Sequence, residues 1–599
     1  MPSKLIPLKL PPGIIKDWTE YSAEGRYSNG ERVRFMEDLP EKIGGWVANA
    51  VKSVTGVPRS ILPWKDLSEN NIIAIGTHSH LYVLFQGTLS DITPLRKTSS
   101  NVSNCFTVTD ESTTVTVTDS SHGATTGDYV TISSSAAVGG ITPDGNYEIT
   151  VTNSNVYTIV HSTAATSGAT GGGGATDIAY AIAPGAPDSS GGLGWGAGPW
   201  GGSTWNTTRV IGLGVAVDLS YWSLSNWGED LIATFRNDKT YLWDASSGVG
   251  TRAAVLTNAP ITAKFTAISM EARHVLAYGA YTGSANNPMN IAWTDQGTNT
   301  TWAATATNTA GEFQLTRGTR IEAYAHTRTQ TLIWTDTSLY AQTYSGQPYI
   351  FNFKLLSEDT TILSQTSAID IDGVTYWFGS NNFYVYNGQV QALQSPVRRW
   401  VFDNINRDVA GKSFVGVNKE FQEIWFFYPR GTATEPSHYA TYHYGDPQKV
   451  IWHIGALPRT CWQDAEKFLE KPIAYDSSGI YYDHENGFDD NASAMNPSLE
   501  TGVLELTGTG GEGSSLLLID KVIPDAVTGG DYTLEIISKK YPNSTEETTK
   551  GPFTITATTE KISLRAKGRQ ARLKWADTGV GYSWKLGTPR LQIKQVGER

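Results

Sequence analysis

Cysteine is almost absent: the 599 residues include only Cys105 and Cys461, with no CxxC pair and no metal-type spacing. That usage excludes a disulfide framework and a thiolate zinc site, so both read as free thiols of a protein folded in a reducing cytoplasm. Charge is sparse as well, at 17% of residues, and the net charge of −12 argues against a general nucleic-acid binder held to phosphates by its overall field. From Thr98 to Thr208 there is no Lys or Arg, whereas Asp110, Glu111, Asp119, Asp128, Asp144, Glu148 and Asp177 are present. Long apolar runs are missing too; none approaches the roughly 18 residues of a membrane-spanning helix. Lys4 and Lys9 are followed by no uninterrupted apolar region, because Pro7, Pro11 and Pro12 break it, so neither a signal peptide nor membrane insertion is expected. There is no GxSxG elbow, HExxH or Walker motif. No catalytic residue, cofactor or metal ligand is therefore assigned, and the chain is expected not to be an enzyme.

What is present is turn-formers and aromatics: Gly 60, Trp 19, Tyr 28 and Phe 18, without the Ala/Leu/Glu/Lys mixture of long helices. This predicts an all-β protein. A local pattern recurs from about Val57, in which an apolar strand, a short polar turn and a residue followed by Tyr begin the returning strand. Its clearest copies run Asn71 to Tyr82, Asp230 to Tyr241, Thr331 to Tyr340, Val374 to Tyr384 and Pro472 to Tyr481. The later tyrosines fall at about two, one and two multiples of a ~48-residue period, which is the size of a four-stranded propeller blade. Two skipped copies are expected near Met289 to Trp302 and Phe421 to His453, giving about six or seven blades. A single four-stranded sheet cannot bury both its faces, and radial stacking supplies the cover. Unrelated hairpins in several sandwiches are the alternative.

The expected layout is an N-terminal extended arm over 1–54, a first blade over 55–100, an inserted β-domain over 101–176, a Gly/Trp-rich connecting loop over 177–214, the remaining blades over 215–500 and a C-terminal β-sandwich over 501–599. In the insertion, Thr113-TVTVTDSSHGATTGDYVTIS alternates apolar and polar residues as small-barrel strands do. The connecting loop carries Trp195, Trp200 and Trp205, candidates for interface or glycan contact. From Lys539 to Arg599 basic residues outnumber acidic ones by 8, against −20 for the rest of the chain, which suggests acidic-to-basic contact between copies or simply a solvated basic face.

Three clusters carry residue types that could do chemistry. His78-Ser79-His80 could present two imidazoles to a metal, but it falls in a predicted turn with no third ligand. Asp483-HENGFDDN supplies Asp483, Glu485, Asp489 and Asp490 without the spacing of a calcium loop, and reads as a solvated turn. Asp370 and Asp372 would share one strand face about 7 Å apart, as glycosidase acids can, although chance explains the pair. Trp293-TDQGTNTTW approaches the hairpin-pinning box of sialidase propellers with too long a spacing from Gly297 to Trp302.

The N-terminal string carries Pro11-Pro12-Gly13, Thr19-Glu20-Tyr21, Gly25-Arg26-Tyr27, Val33-Arg34-Phe35 and Ile43-Gly44-Gly45-Trp46. In these motifs it resembles the opening of podovirus-type phage virion proteins of the tail nozzle, tail tubular B and packaged-DNA-stabilisation kind. Ala292-WTDQGTNTTW and the closing strands from Gly568 to Ile593 are similar to the same family, and the insertion resembles small β-modules of marine phage structural proteins. The acidic Glu37-DLPEK departs from the family pattern. The resemblance implies a non-enzymatic virion protein, made in the host cytoplasm and placed in the tail. It implies a homo-oligomeric, usually hexameric, ring below the adaptor ring, near fibres or spikes, through which phage DNA is retained and then passes. A host-glycan or fibre-docking module is the alternative reading, and a glycan-degrading propeller enzyme a third.

Overall fold

The computed structural model describes residues 4–19, 22–188, 218–269, 271–283, 287–466, 468–505, 516–541 and 544–596. Strands hold 49% of the described residues and helices 3%, so the fold is all-β and propeller-like. Trp195, Trp200 and Trp205 lie outside the described residues. The chain divides into two compact units, Val54–Thr316 and Met1–Ser53 with Arg317–Arg599.

The first unit holds three four-stranded antiparallel blades, over 58–91, 222–255 and 265–314, each a simple up-and-down meander. Apolar strands such as Asn71–Thr77 (NIIAIGT) are almost wholly buried, and the blade over 222–255 packs on this sheet. Between the first two blades, Trp64 and Trp243 meet edge to face at 6.5 Å in a cluster with Ile72, Val83, Leu231 and Phe235. In the third blade, Asp295 pins the loop after Asn290–Trp293 by accepting from the Thr309 N–H (2.8 Å) and Oγ1 (2.7 Å). The box-like sequence is thus a structural clasp, built with Thr309 in place of a conventional spacing.

The insertion is two sheets closing on one core. Phe106, Val115, Val117, Val130, Ile132, Tyr157, Ile159, Ile178 and Tyr180 are its buried side chains, and the TVTVT alternation puts Val115 and Val117 inward as expected. It is wider than 101–176: its first strand is Leu95–Ser103 and its last Ala175–Ala181, which pair with each other. The boundary is displaced because Arg96 and Lys97, next to the blade, are recruited by Asp128 (2.7 Å) and Asp119 (3.8 Å) of the insertion. The segment without cations thus takes its counter-charges from its own entry strand.

The insertion rests on the first blade through His80, which lies edge-on to Tyr129 (4.5 Å) and stacks on Tyr82 (5.5 Å). Asn146 Nδ2 donates to His80 Nε2 (3.3 Å), which leaves the ring proton on Nδ1 facing Ser79 Oγ (2.8 Å). Arg252 ties the same junction, reaching Asp91 (2.7 Å) and Thr131 Oγ1 (3.1 Å). His78 is used separately, accepting from the Val57 N–H (2.9 Å), so the two imidazoles do not converge.

The second unit holds four blades, over 321–358, 368–392, 414–456 and 461–484. Trp334 meets Trp377 (5.5 Å) between the first two of these, and Trp425 stacks on Trp462 (5.6 Å) between the last two. The last blade has only three strands of its own. Its fourth is Trp46–Asn49 from the N-terminal segment, pairing antiparallel with Tyr481–His484.

The C-terminal β-domain is likewise completed by the chain's beginning. Lys4–Pro7 pairs with Arg590–Gln595, Tyr27–Glu31 with Ser498–Thr501, and Leu39–Lys42 meets Trp584–Leu586. Residues 1–54 are therefore not a separate extended arm: their described strands are divided among three sheets of the C-terminal domain and the last blade. Without these N-terminal strands, Arg590–Gln595, Ser498–Thr501 and Tyr481–His484 would each be a sheet edge with unmet backbone hydrogen bonds.

Two outcomes follow. Gly45 abuts the backbone of Asp489, where a Cβ has no room; Gly45→Val should cost about 1–3 kcal/mol or more by overpacking, read as a lower thermal midpoint with earlier proteolysis around 46–49. His80 is held down to about pKa 4, by burial first and then by Arg252 and His78, against the opposing pull of Asp91. The folded form therefore refuses a proton that the unfolded chain accepts below about pH 6.5, so stability falls as pH drops from 6.5 towards 4, by at most about 1.4 kcal/mol per unit from this group. His80→Phe should flatten that slope in thermal melts; an unchanged slope counts against the assignment.

Candidate functional site: the N-terminal junction and its cleft

The richest concentration of buried chemistry lies where the N-terminal segment meets the last two blades. Arg34, on the strand Val33–Met36, is 1% exposed. Its Nε donates to Glu423 Oε1 (3.1 Å), while Nη1 (3.1 Å) and Nη2 grip the two oxygens of Glu485 as a fork. Glu423 also accepts from His453 Nε2 (3.0 Å) and Trp425 Nε1 (3.1 Å). Glu485 accepts from the Gly44 N–H and from Asn418 Nδ2, both at 3.1 Å. The Phe421 ring covers the guanidinium at 3.6 Å. Burial raises the Glu423 carboxyl, but Arg34 and His453, helped by Trp425, hold it below the usual carboxylate range. The guanidinium is likewise held above its ordinary value by the two glutamates despite burial.

The acidic string after residue 482 is not a solvated turn. Glu485 anchors Arg34, Asp489 Oδ1 accepts from the Gly581 N–H (2.6 Å), and Asp490 accepts from Trp46 Nε1 (2.8 Å) beside Arg32 (3.5 Å). Asp483 accepts from the Tyr481 hydroxyl (2.8 Å). Sequence reasoning missed this role because Arg32, Arg34 and Trp46 lie more than 400 positions away; the surplus of four carboxylates beside two tyrosines was the only local signal.

Glu37, Asp38 and Glu41, the acidic departure in the arm, meet Lys585 (3.2 Å), Lys449 (2.7 Å) and Lys585 (3.8 Å). Lys42 and Asp577 form a fully buried pair at 3.2 Å. Part of the acidic-to-basic contact suggested by the charge asymmetry is thus made within one chain. Asp370 and Asp372 do not share a strand face: Asp372 sits in the turn with φ +52°, and Asp370 binds the Gly373 N–H (3.1 Å) and Thr375 Oγ1 (2.9 Å). Cys105 and Cys461 are buried and are not joined in a disulfide.

A second buried arginine behaves differently. Arg459 lies between Tyr482 (3.9 Å) and Trp46 (5.3 Å), and its Nε donates to His484 Nε2 (2.9 Å), which must therefore be neutral. Burial, with no carboxylate bonded to it among the described residues, pulls Arg459 down to about 10 and His484 well below its ordinary value.

Beside this junction, the turn at Pro11-Pro12-Gly13 walls a cleft of about 510 Å³. Gly13 has φ +99° and packs against the Trp452 backbone, a position a side chain would strain. The Ile14 N–H donates to Trp452 O (2.7 Å), and the Lys16 and Asp17 N–H groups donate to Pro396 O (both 3.0 Å). Asp17 in turn accepts from the N–H groups of Arg399 (2.9 Å) and Trp400 (3.0 Å). Trp18, Arg26, Gln394 and Gln448 also line the cleft. Among the described residues no group of three or more His, Cys, Asp or Glu side chains is placed to hold a metal ion.

Arg34→Met strands one buried and one partly buried carboxylate and should cost about 3–5 kcal/mol. Adding Glu423→Gln and Glu485→Gln should recover part of it, and Arg459→Met, which strands no carboxylate, should cost less than Arg34→Met. Because the Glu423 pKa is depressed on folding, its contribution is complete above about pH 4.3 and fades as pH falls through the folded value. Equal losses for the two arginine variants in denaturant titrations would contradict this assignment.

Comparison with protein-family models and with curated proteins finds no match. Among solved structures the chain is similar to the endosialidase of phage phi92, with 12% identity over 80% of this chain and 74% of that one and a TM-score of 0.20. It is similar to Hsv2 of Kluyvelomyces marxianus, with 6% identity, 43% and 72% coverage and a TM-score of 0.27, and to a puromycin hydrolase, with 11%, 47% and 50% and 0.28. At these identities and scores no activity or partner transfers to this chain.

Proposed function

We propose that this chain is a structural, non-enzymatic component of a tailed-phage virion, a nozzle-type tail protein whose copies form a ring around the DNA exit channel. The observation that carries the reading is where the motifs of the family resemblance fall. Gly13 seats the arm on Trp452, Tyr27 packs on Phe35 (5.3 Å), Arg34 binds Glu423 and Glu485, and Gly44, Gly45 and Trp46 lead into the strand that fills the last blade. A motif that fixes a rigid scaffold suits a building block. Of the pair that a glycosidase reading would use, Asp370 is taken up by the Gly373 N–H and Thr375 Oγ1, and Asp372 lies in the turn beyond the strand.

In this reading the net charge of −12 lets DNA slide, since a wall that gripped phosphates would stall ejection. The docking alternative, through Trp195, Trp200 and Trp205, stands on sequence alone. Proteomics of purified particles followed by a density map of the tail tests the proposal: the chain should be a stoichiometric virion protein in a ring with a predominantly acidic lumen. Its absence from particles would sink the virion role, and a lumen lined by Lys and Arg would sink the sliding argument.

A further inference from the structure

We propose that the cleft beside the Pro11-Pro12-Gly13 turn binds an acidic sugar, a pyranose bearing a carboxylate and presented by a glycan. Its volume of about 510 Å³ lies within the range of small-ligand sites. Three kinds of group that are uncommitted among the described residues meet there.

Trp18 is 52% exposed, the one tryptophan among the described residues with so much surface in water; the other tryptophans are buried or half-buried, mostly between sheets. An exposed indole face offers a flat apolar platform for the C–H face of a sugar ring while the ring's hydroxyls stay wet. Arg26 lines the same cleft and has no carboxylate partner among the described residues, in a chain where acids outnumber bases and Arg34, Arg252 and Arg572 are all paired. A free guanidinium is a bidentate receptor for a carboxylate. The side-chain amides of Gln394 and Gln448 also line the cleft without a hydrogen bond to any described residue, so each can donate to one hydroxyl and accept from another. Lys449, a further lining residue, is neutralised by Asp38 at 2.7 Å, which leaves Arg26 as the charge that selects the ligand.

An acidic peptide would satisfy Arg26 but has no ring to lay on Trp18 and few hydroxyls for two amides. The combination of indole, guanidinium and paired amides therefore favours the sugar. The cleft is separate from Trp195, Trp200 and Trp205 and does not depend on the virion reading.

The full chain is titrated by ligand-observed NMR and calorimetry with glucuronate, galacturonate and N-acetylneuraminate. Glucose and galactose serve as neutral counterparts, and a hexaglutamate peptide as the competing chemistry. At least one acidic sugar should bind with a dissociation constant in the millimolar range, about tenfold or more tighter than its neutral counterpart. Arg26→Gln should remove that discrimination, and Trp18→Ala should weaken acidic and neutral sugars alike, with thermal midpoints near the parent's because both side chains are partly exposed. Absence of binding by every sugar, binding that survives both variants, or hexaglutamate binding in place of the sugars would overturn the proposal. None of these results bears on whether the chain is found in particles, so the two readings fail separately.

Discussion

One buried cation organises the second unit. Arg34 is withdrawn from water and held by two glutamates that come from different blades, Glu423 within a strand and Glu485 just after one. A lone guanidinium in that place would cost several kcal/mol of desolvation, so it is tolerable only where both acids, and the groups that orient them, are already in position. His453, Trp425, Asn418 and the Gly44 amide supply that orientation. Register is the consequence: if the strand Val33–Met36 slipped by one residue, Arg34 would point to the other face and leave two carboxylates unpaired.

The rest of the second unit is arranged around that fixed point. Trp46–Asn49 can complete the last blade only because Gly44 and Gly45 let the chain pass close to Glu485 and Asp489. One continuous apolar cluster then joins blade residues such as Phe378, Phe426 and Trp452 to C-terminal residues such as Leu534, Leu573 and Trp575. Polar junction and apolar core thus have different tasks. The core supplies most of the burial, whereas the ion network decides which strands meet.

Much of the fold was legible because it is local. Hairpin periodicity located the blades, including the two skipped copies now seen around Asn290–Trp293 and Glu423–Tyr428, and the TVTVT alternation identified an inward face of the insertion. The long-range pairings were not legible. Nothing in Asp483-HENGFDDN announces that Arg34 will arrive from the other end of the chain, and hydrophobic alternation cannot say that Lys4–Pro7 pairs with Arg590–Gln595. The Asp370–Asp372 pair was misplaced for a related reason: a turn with φ +52° at Asp372 ended the strand one residue too early for a shared face. The cleft escaped notice because Trp18 and Arg26 acquire a common role only when Gln394 and Gln448 are folded beside them.

The central claim is that the N-terminal segment is built into its own chain. Hydrogen–deuterium exchange on the isolated, dilute protein tests it most directly. Amides of 46–49, bonded to 481–484, should exchange nearly as slowly as those of the central strand Glu423–Tyr428. Rapid exchange over 27–49 in the free chain, with protection gained only on assembly, would show that the segment belongs to a neighbour and would contradict the account.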